Sequence, residues 1–310
     1  MEGLFTLNRD AIKNTNMESQ VENIVMAAFH VPPMKTQYLG GGFYGNVFLV
    51  VFEKPPYQAV VKLYKYNDLN SREAQQLQTL AQHGTLKMPD IYHVHENTAL
   101  VMEFLHGVNA GEQHGIPAKI RDRIGEQIVE NLLAYHSVPH DGYGALDAES
   151  YAVRWHDHYH RVLLSTLKKG ETLLIAGQIK QKTFDICLHA LERYDSVFQE
   201  EPIGARLIHG DYNTWNIMLD ANMQNAVAVI DPFNCCWADP EYDLYQLNNA
   251  NGKSFGLLEK YSRHRELSTN FERKIKYYEL FSEIAHYHDA QVDASRSNLD
   301  ATARELRRLL

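Results

Sequence analysis

The sequence predicts an α+β chain in two parts, a small β-rich lobe followed by a larger helical one. Two observations carry this: apolar residues alternate or run unbroken over short stretches between positions 38 and 104, and the helical period dominates after Gly107. The length of 310 residues, with 45% hydrophobic, is enough for about two domains and a sizeable core. The boundaries read as residues 1–104 for the first lobe and 105–310 for the second.

Within the first lobe, residues 17–29 space their apolar side chains as an amphipathic helix, ended by Pro32 and Pro33. A strand around Tyr38-Leu39, a glycine turn and the run Val47–Phe52 follow. The β-branched run Ala59–Tyr64 is the third strand. Asn70 or Ser71 is the expected N-cap of a helix through residues 72–82 that Gly84 closes. Ile91–His95 and Ala99–Phe104 complete a five-stranded sheet with one helix. In the second lobe, residues 120–136, 151–167, 179–198, 242–249, 255–261, 271–290 and 301–310 read as helices. Only 216–219 and 226–230 read there as strands.

Charge and composition exclude several classes. Lys and Arg number 30 against 39 Asp and Glu, a net charge of −9, so no nucleic-acid partner is expected. No apolar run is long enough to span a bilayer, and no membrane partner is expected. The N-terminal stretch Met1–Asp10 lacks the apolar run of a signal peptide. The cysteines, Cys187, Cys235 and Cys236, show no disulfide framework or CxxC spacing. A reduced, cytoplasmic setting is the expectation. Nothing in the sequence sets an oligomeric state.

The chemistry-bearing residues follow in order. Gly40-Gly41-Gly42-Phe43-Tyr44-Gly45-Asn46-Val47 fits G-x-G-x-x-G-x-V between two strands, where glycines let a backbone approach phosphates and offer N–H groups. A plain hairpin turn is the alternative for Gly40, Gly42, Gly45 and Val47 taken alone. Lys62 lies in an apolar strand, where a charge needs a reason; a kinase lysine there contacts the α- and β-phosphates, held by a helix glutamate, here Glu73. The apolar strand ending at Glu103-Phe104-Leu105-His106-Gly107 reads as a hinge. The backbone at Glu103 and Leu105 would bind an adenine edge. In the second lobe, Asp211 and Asn216 stand five positions apart between apolar stretches, and Asp231 ends a later strand. A carboxylate beside an acceptor hydroxyl and two hard oxygen ligands for Mg²⁺ are what phosphoryl transfer requires.

The segment HGDYNTWNIML followed by VIDPFNCCWADPEYDL resembles the aminoglycoside phosphotransferase-like superfamily, which includes fructosamine kinases and choline kinases. The resemblance runs over roughly residues 35–250 and implies a bilobal protein-kinase-like fold. It implies an ATP- and Mg²⁺-dependent transfer to a hydroxyl of a small molecule: an amino sugar, ketoamine, amino alcohol or similar metabolite. It makes Asp211 the catalytic base, Asn216 and Asp231 the Mg²⁺ ligands and Lys62 a phosphate contact. His209 reads as architectural, Asp239 as a helix N-cap and Asp243 as a brace of the catalytic loop. Two departures stand out. Pro232 follows Asp231 where many members carry Trp or Phe, and residues 271–310 lack the acidic excess that many aminoglycoside kinases use against polycationic drugs.

A catalytically weak nucleotide-binding pseudokinase is the alternative, although Lys62, Asp211, Asn216 and Asp231 are all present. A protein kinase fits less well, because Asp239-Pro240 follows Asp231 too closely to leave an activation segment. His156 and His160 share a helix face, where a surface or substrate-wall helix is expected rather than a metal site.

Overall fold

The computed structural model describes residues 2–291 and 293–310, with the side chains of 16–291 and 296–310. Met1 and the side chains of the Met1–Asp10 stretch lie outside the described residues. The chain splits into two compact units: residues 1–79 with 88–106, and residues 80–87 with 107–310.

The first unit opens with helix α1 (Glu2–Phe29) and continues with β1 (Lys35–Gly41), β2 (Gly45–Val51), β3 (Gln58–Tyr64), α2 (Leu69–Ala81), β4 (Ile91–His95) and β5 (Ala99–Glu103). The strands form an antiparallel sheet in the order β1-β2-β3-β5-β4. Val21, Ile24 and Val25 of α1, spaced for one helix face, pack on Phe48, Val50, Ala59, Val61 and Val101. Each buried Val, Ile or Phe among them contributes about 1.5–3 kcal/mol over its exposed state. Strand alternation then turns Val47, Val60, Lys62 and Tyr64 to the opposite face of the sheet. Asn70 is not an N-cap. The helix already begins at Leu69, and the buried Asn70 amide donates to the carbonyls of His95, Glu96 and Ala99, tying α2 to the β4–β5 turn.

In the second unit, the Asn131 carboxamide accepts from the Thr85 and Leu86 N–H groups, and Lys87 bonds to Val227 and Val229. These bonds attach residues 80–87 here rather than to the strands that flank them in sequence. The elements are β6 (Val108–Asn109), α3 (Ala118–His136), β7 (Pro139–His140), β8 (Gly144–Ala145), α4 (Trp155–Ile175), α5 (Gln181–Val197), β9 (Ala205–Ile208), β10 (Ile217–Leu219), β11 (Ala226–Val229), β12 (Cys236–Ala238), α6 (Gly252–Phe255), α7 (Leu257–Ser262), α8 (Phe271–Ala290) and α9 (Asp293–Leu309). Among the described residues the strands form two small sheets, β11-β10-β6 and β7-β9-β12-β8.

The second sheet is the main departure from the sequence reading, which has no strand at 205–208 or 236–238. β9 and β12 pair with each other across nearly thirty residues, and each is too short to show a period. The expected helix at 151–167 starts at Trp155 instead. Glu201 accepts from the Trp155 and His156 N–H groups and so caps α4 from a distant loop. The expected helix at 242–249 is a 3-10 helix, Pro240–Gln246, capped by the Asp239 side chain on the Glu241 N–H at 3.0 Å. An aromatic core built from Tyr159, Tyr194, Phe198, Tyr277 and Tyr278 holds α4, α5 and α8 together.

Candidate active site

The glycine hairpin joins β1 to β2. Gly40 lies opposite Val47 in the strand register, and the Gly42 N–H donates to the Gly45 carbonyl at 2.8 Å. A Cβ at Gly45 would sit 2.6 Å from the Leu63 carbonyl oxygen, so this turn demands glycine. Lys65 ties down the tip by donating to the carbonyls of Gly42 and Phe43. Val47 faces Lys62 across the β2–β3 ladder. The Lys62 ammonium donates to Glu73 Oε2 at 2.7 Å, and the Tyr64 hydroxyl donates to the same oxygen at 2.7 Å. Side-chain exposures of 13% for Lys62 and 11% for Glu73 make this a mostly enclosed pair on the sheet face away from α1. At the end of β5, the Glu103 N–H donates to the Asp90 carbonyl, whereas the Leu105 N–H makes no hydrogen bond among the described residues.

The second unit carries the loop between β9 and β10. Gly210 has φ +82, and a Cβ there would lie 2.0 Å from the Phe233 carbonyl oxygen. Only glycine lets residues 231–234 pass this close to the loop. The His209 and Gly210 N–H groups donate to the two oxygens of buried Asp243 at 2.8 and 2.7 Å. His209 Nδ1 accepts from the Asp211 N–H at 3.3 Å, and burial holds the ring below its usual pKa and hence neutral.

Asp211 follows. The Asn213 amide donates to its Oδ1 and the Asn216 amide to its Oδ2, both at 2.8 Å. Burial raises the Asp211 pKa to about 6, the charge of Asp231 adds to the rise, and hydrogen bonds from Asn216, Gln246 and Asn213 oppose it. The Ile230 N–H donates to the Asn216 carbonyl at 2.9 Å, which brings the end of β11 to the loop. Asp231 itself is exposed and held at φ +56, a left-handed conformation that costs an L-residue about 1–2 kcal/mol. Strain of this kind collects at functional positions.

The structure therefore brings together Lys62 with Glu73 and Val47 in the first unit, and Asp211 with Asn216 and Asp231 in the second. It also adds residues that the sequence reading passed over. Asn213 and Gln246 complete an amide frame around Asp211, with the Asn213 amide 3.1 Å from Gln246 Oε1. Gln246 lies three residues after Asp243, the repeat of a 3-10 helix, so both face the loop. The oxygen donors of Asn216 and Asp231 suit Mg²⁺, which prefers hard oxygen ligands and keeps several waters. His156, in contrast, is engaged with Asp157 and Asp195 on the outside of α4.

Residues 35–273 match the family described as the Phosphotransferase enzyme family. The chain belongs to this family. The uncharacterized protein YcbJ of Escherichia coli K12 is 29% identical over 238 residues, 73% of this chain and 77% of YcbJ. A putative fructosamine-3-kinase from Haemophilus somnus superposes with a TM-score of 0.72 at 16% identity, covering 94% of this chain and 96% of the kinase. The GDP complex of wild-type aminoglycoside 2'-phosphotransferase-IIIa gives 0.64 at 16% identity, covering 94% and 98%. The protein-kinase-like α+β fold expected from the motifs is thus the fold of this phosphotransferase. No helix among the described residues is long and apolar enough to cross a membrane.

Proposed function

We propose that this phosphotransferase moves the γ-phosphate of ATP to a hydroxyl of a small metabolite, an amino sugar, ketoamine, amino alcohol or similar compound, with Mg²⁺ as cofactor. The observation that carries the reading is the Asp211 carboxylate, clamped by two amides at 2.8 Å beside Asp231. Residues 271–310 hold seven acidic and seven basic residues, without the acidic excess that suits a polycationic drug, which favours a metabolite as acceptor.

In this reading the glycine hairpin and Lys62 hold the triphosphate, and Glu73 keeps the lysine extended. The backbone of Glu103 and Leu105 receives the adenine edge. Asp211 orients the acceptor hydroxyl and takes its proton as the oxygen bonds to the γ-phosphorus and the bridging oxygen leaves with ADP. A pKa of about 6 leaves Asp211 mostly ionised at neutral pH, as a base must be. Asn216 and Asp231 would hold Mg²⁺, which offsets the charge of the phosphate oxygens.

Titration calorimetry with Mg-ATP tests the division of roles. Asp231→Asn should weaken Mg-dependent ATP binding, whereas Asp211→Asn should leave it near wild type. Equal affinities for wild type and Asp231→Asn would remove Asp231 from the metal site.

A further inference from the structure

The proposed catalytic residues leave unused a cavity of about 590 Å³ in the second unit. It opens between the loop before β9, the start of the 3-10 helix Pro240–Gln246 and the segment between α7 and α8. Its volume suits a metabolite-sized ligand. Asp239 and Glu241 border it, whereas Gln246, at the far end of the same short helix, faces Asp211. Six steps of a 3-10 helix put roughly 12 Å between the two ends.

The charges lining this cavity divide into those already matched and those that are not. Glu200 accepts from the Thr269 backbone and hydroxyl. Glu201 is taken by Arg154 and the α4 N-terminus. Asp239 and Glu241 share the buried Lys274 ammonium, 2.6 Å from each. Three charges remain, the exposed carboxylate of Glu266 and two guanidinium groups. Arg206 donates to the carbonyls of Ala205 and Ile203 at 3.4 and 3.2 Å, and Arg265 to the carbonyl of His136 at 3.0 Å. Among the described residues neither forms an ion pair. Each guanidinium carries five N–H donors in a planar fork that matches an oxyanion, so most of this capacity is unspent. Both groups are half-buried, where an unanswered charge is costly.

We propose that this cavity binds a phosphate-bearing metabolite, with the phosphate oxygens accepting from Arg206 and Arg265. A tetrahedral dianion has acceptors for two forks at once, whereas a single carboxylate is filled by one. The cavity wall is also joined to the catalytic loop. Tyr261 bonds to His136, His136 bonds to Asp243, and Asp243 holds the His209 and Gly210 amides.

Calorimetric titration of inorganic phosphate into the full-length protein tests this, with the nucleotide site filled by a non-hydrolysable Mg-ATP analogue. Wild type should bind phosphate. Arg206→Gln and Arg265→Gln should each weaken it about tenfold or more, because charge-assisted hydrogen bonds are lost. Arg206→Lys and Arg265→Lys keep the charge without the fork, so they should weaken binding less and serve where a glutamine variant does not fold. Unchanged affinity for the nucleotide analogue shows that a variant is folded. The proposal is overturned if nucleotide-filled wild type takes up no phosphate, or if folded arginine variants bind it as wild type does.

Discussion

In the loop His209–Asn216, the Asp211 carboxylate is held by neutral amides and keeps some exposure. In the neighbouring segment Asp239–Gln246, the acids Asp239, Glu241 and Asp243 are buried and answered by Lys274 or by backbone N–H groups. The two segments touch, yet their acids differ in what surrounds them. Burial, with the charge of Asp231, raises the Asp211 pKa to about 6, and the amide hydrogen bonds offset only part of that rise. Asp239 and Glu241 are instead paired with the Lys274 ammonium, and Asp243 accepts the two backbone N–H groups that tie down the loop. At least partial burial is common to the acids of both segments; their partners are what differ.

Substitutions can break that contrast. The largest effect belongs to Asp211→Asn. General-base assistance is typically worth about 10²–10⁴-fold, and turnover should fall by that factor. Its stability should move the other way. The folded pKa is raised from 3.8 to about 6, so the ionised carboxylate costs stability as pH rises through that window. At neutral pH, without Mg²⁺, Asp211→Asn should melt at the same temperature as wild type or higher, which calorimetry would register.

Next is Lys274→Met, which leaves Asp239 and Glu241 buried without their cation. A loss of about 3–5 kcal/mol in urea unfolding is expected. A loss below about 1 kcal/mol would mean that the segment does not depend on this ion pair. The smallest effect is that of Asp243→Asn. It replaces one acceptor for the His209 and Gly210 N–H groups with an amide, and should cost about 1–3 kcal/mol of stability. Turnover should drop with it, because the loop carrying Asp211 loosens. Full activity in a destabilised Asp243→Asn would show that the brace serves folding alone.

Much of this was legible in the sequence where local rules decide. The alternation of Ala59–Tyr64 places Lys62 away from the α1 face, the glycines mark the β1–β2 turn, and the five-residue spacing of Asp211 and Asn216 brings their side chains together. What remained hidden depends on partners far apart in the chain. β9 and β12 exist through pairing with each other, α4 begins where Glu201 caps it, and Asn70 serves carbonyls more than twenty residues away. Gln246 could have been found from its three-residue offset to Asp243, but only with the segment recognised as a 3-10 helix. The Arg206–Arg265 cavity draws on four separated stretches of chain, and no local pattern announces it.

Asp211 is the residue on which the proposed small-molecule phosphoryl transfer depends. The most direct test incubates the purified protein with Mg-ATP and a panel of hydroxylated metabolites, with casein and histone alongside, and follows ATP consumption and phosphate transfer. At least one metabolite should be phosphorylated by wild type, with the rate reduced about 10²–10⁴-fold in Asp211→Asn and no labelling of either protein. Binding of Mg-ATP without transfer to any metabolite, efficient labelling of proteins instead, or full activity in Asp211→Asn would contradict the account.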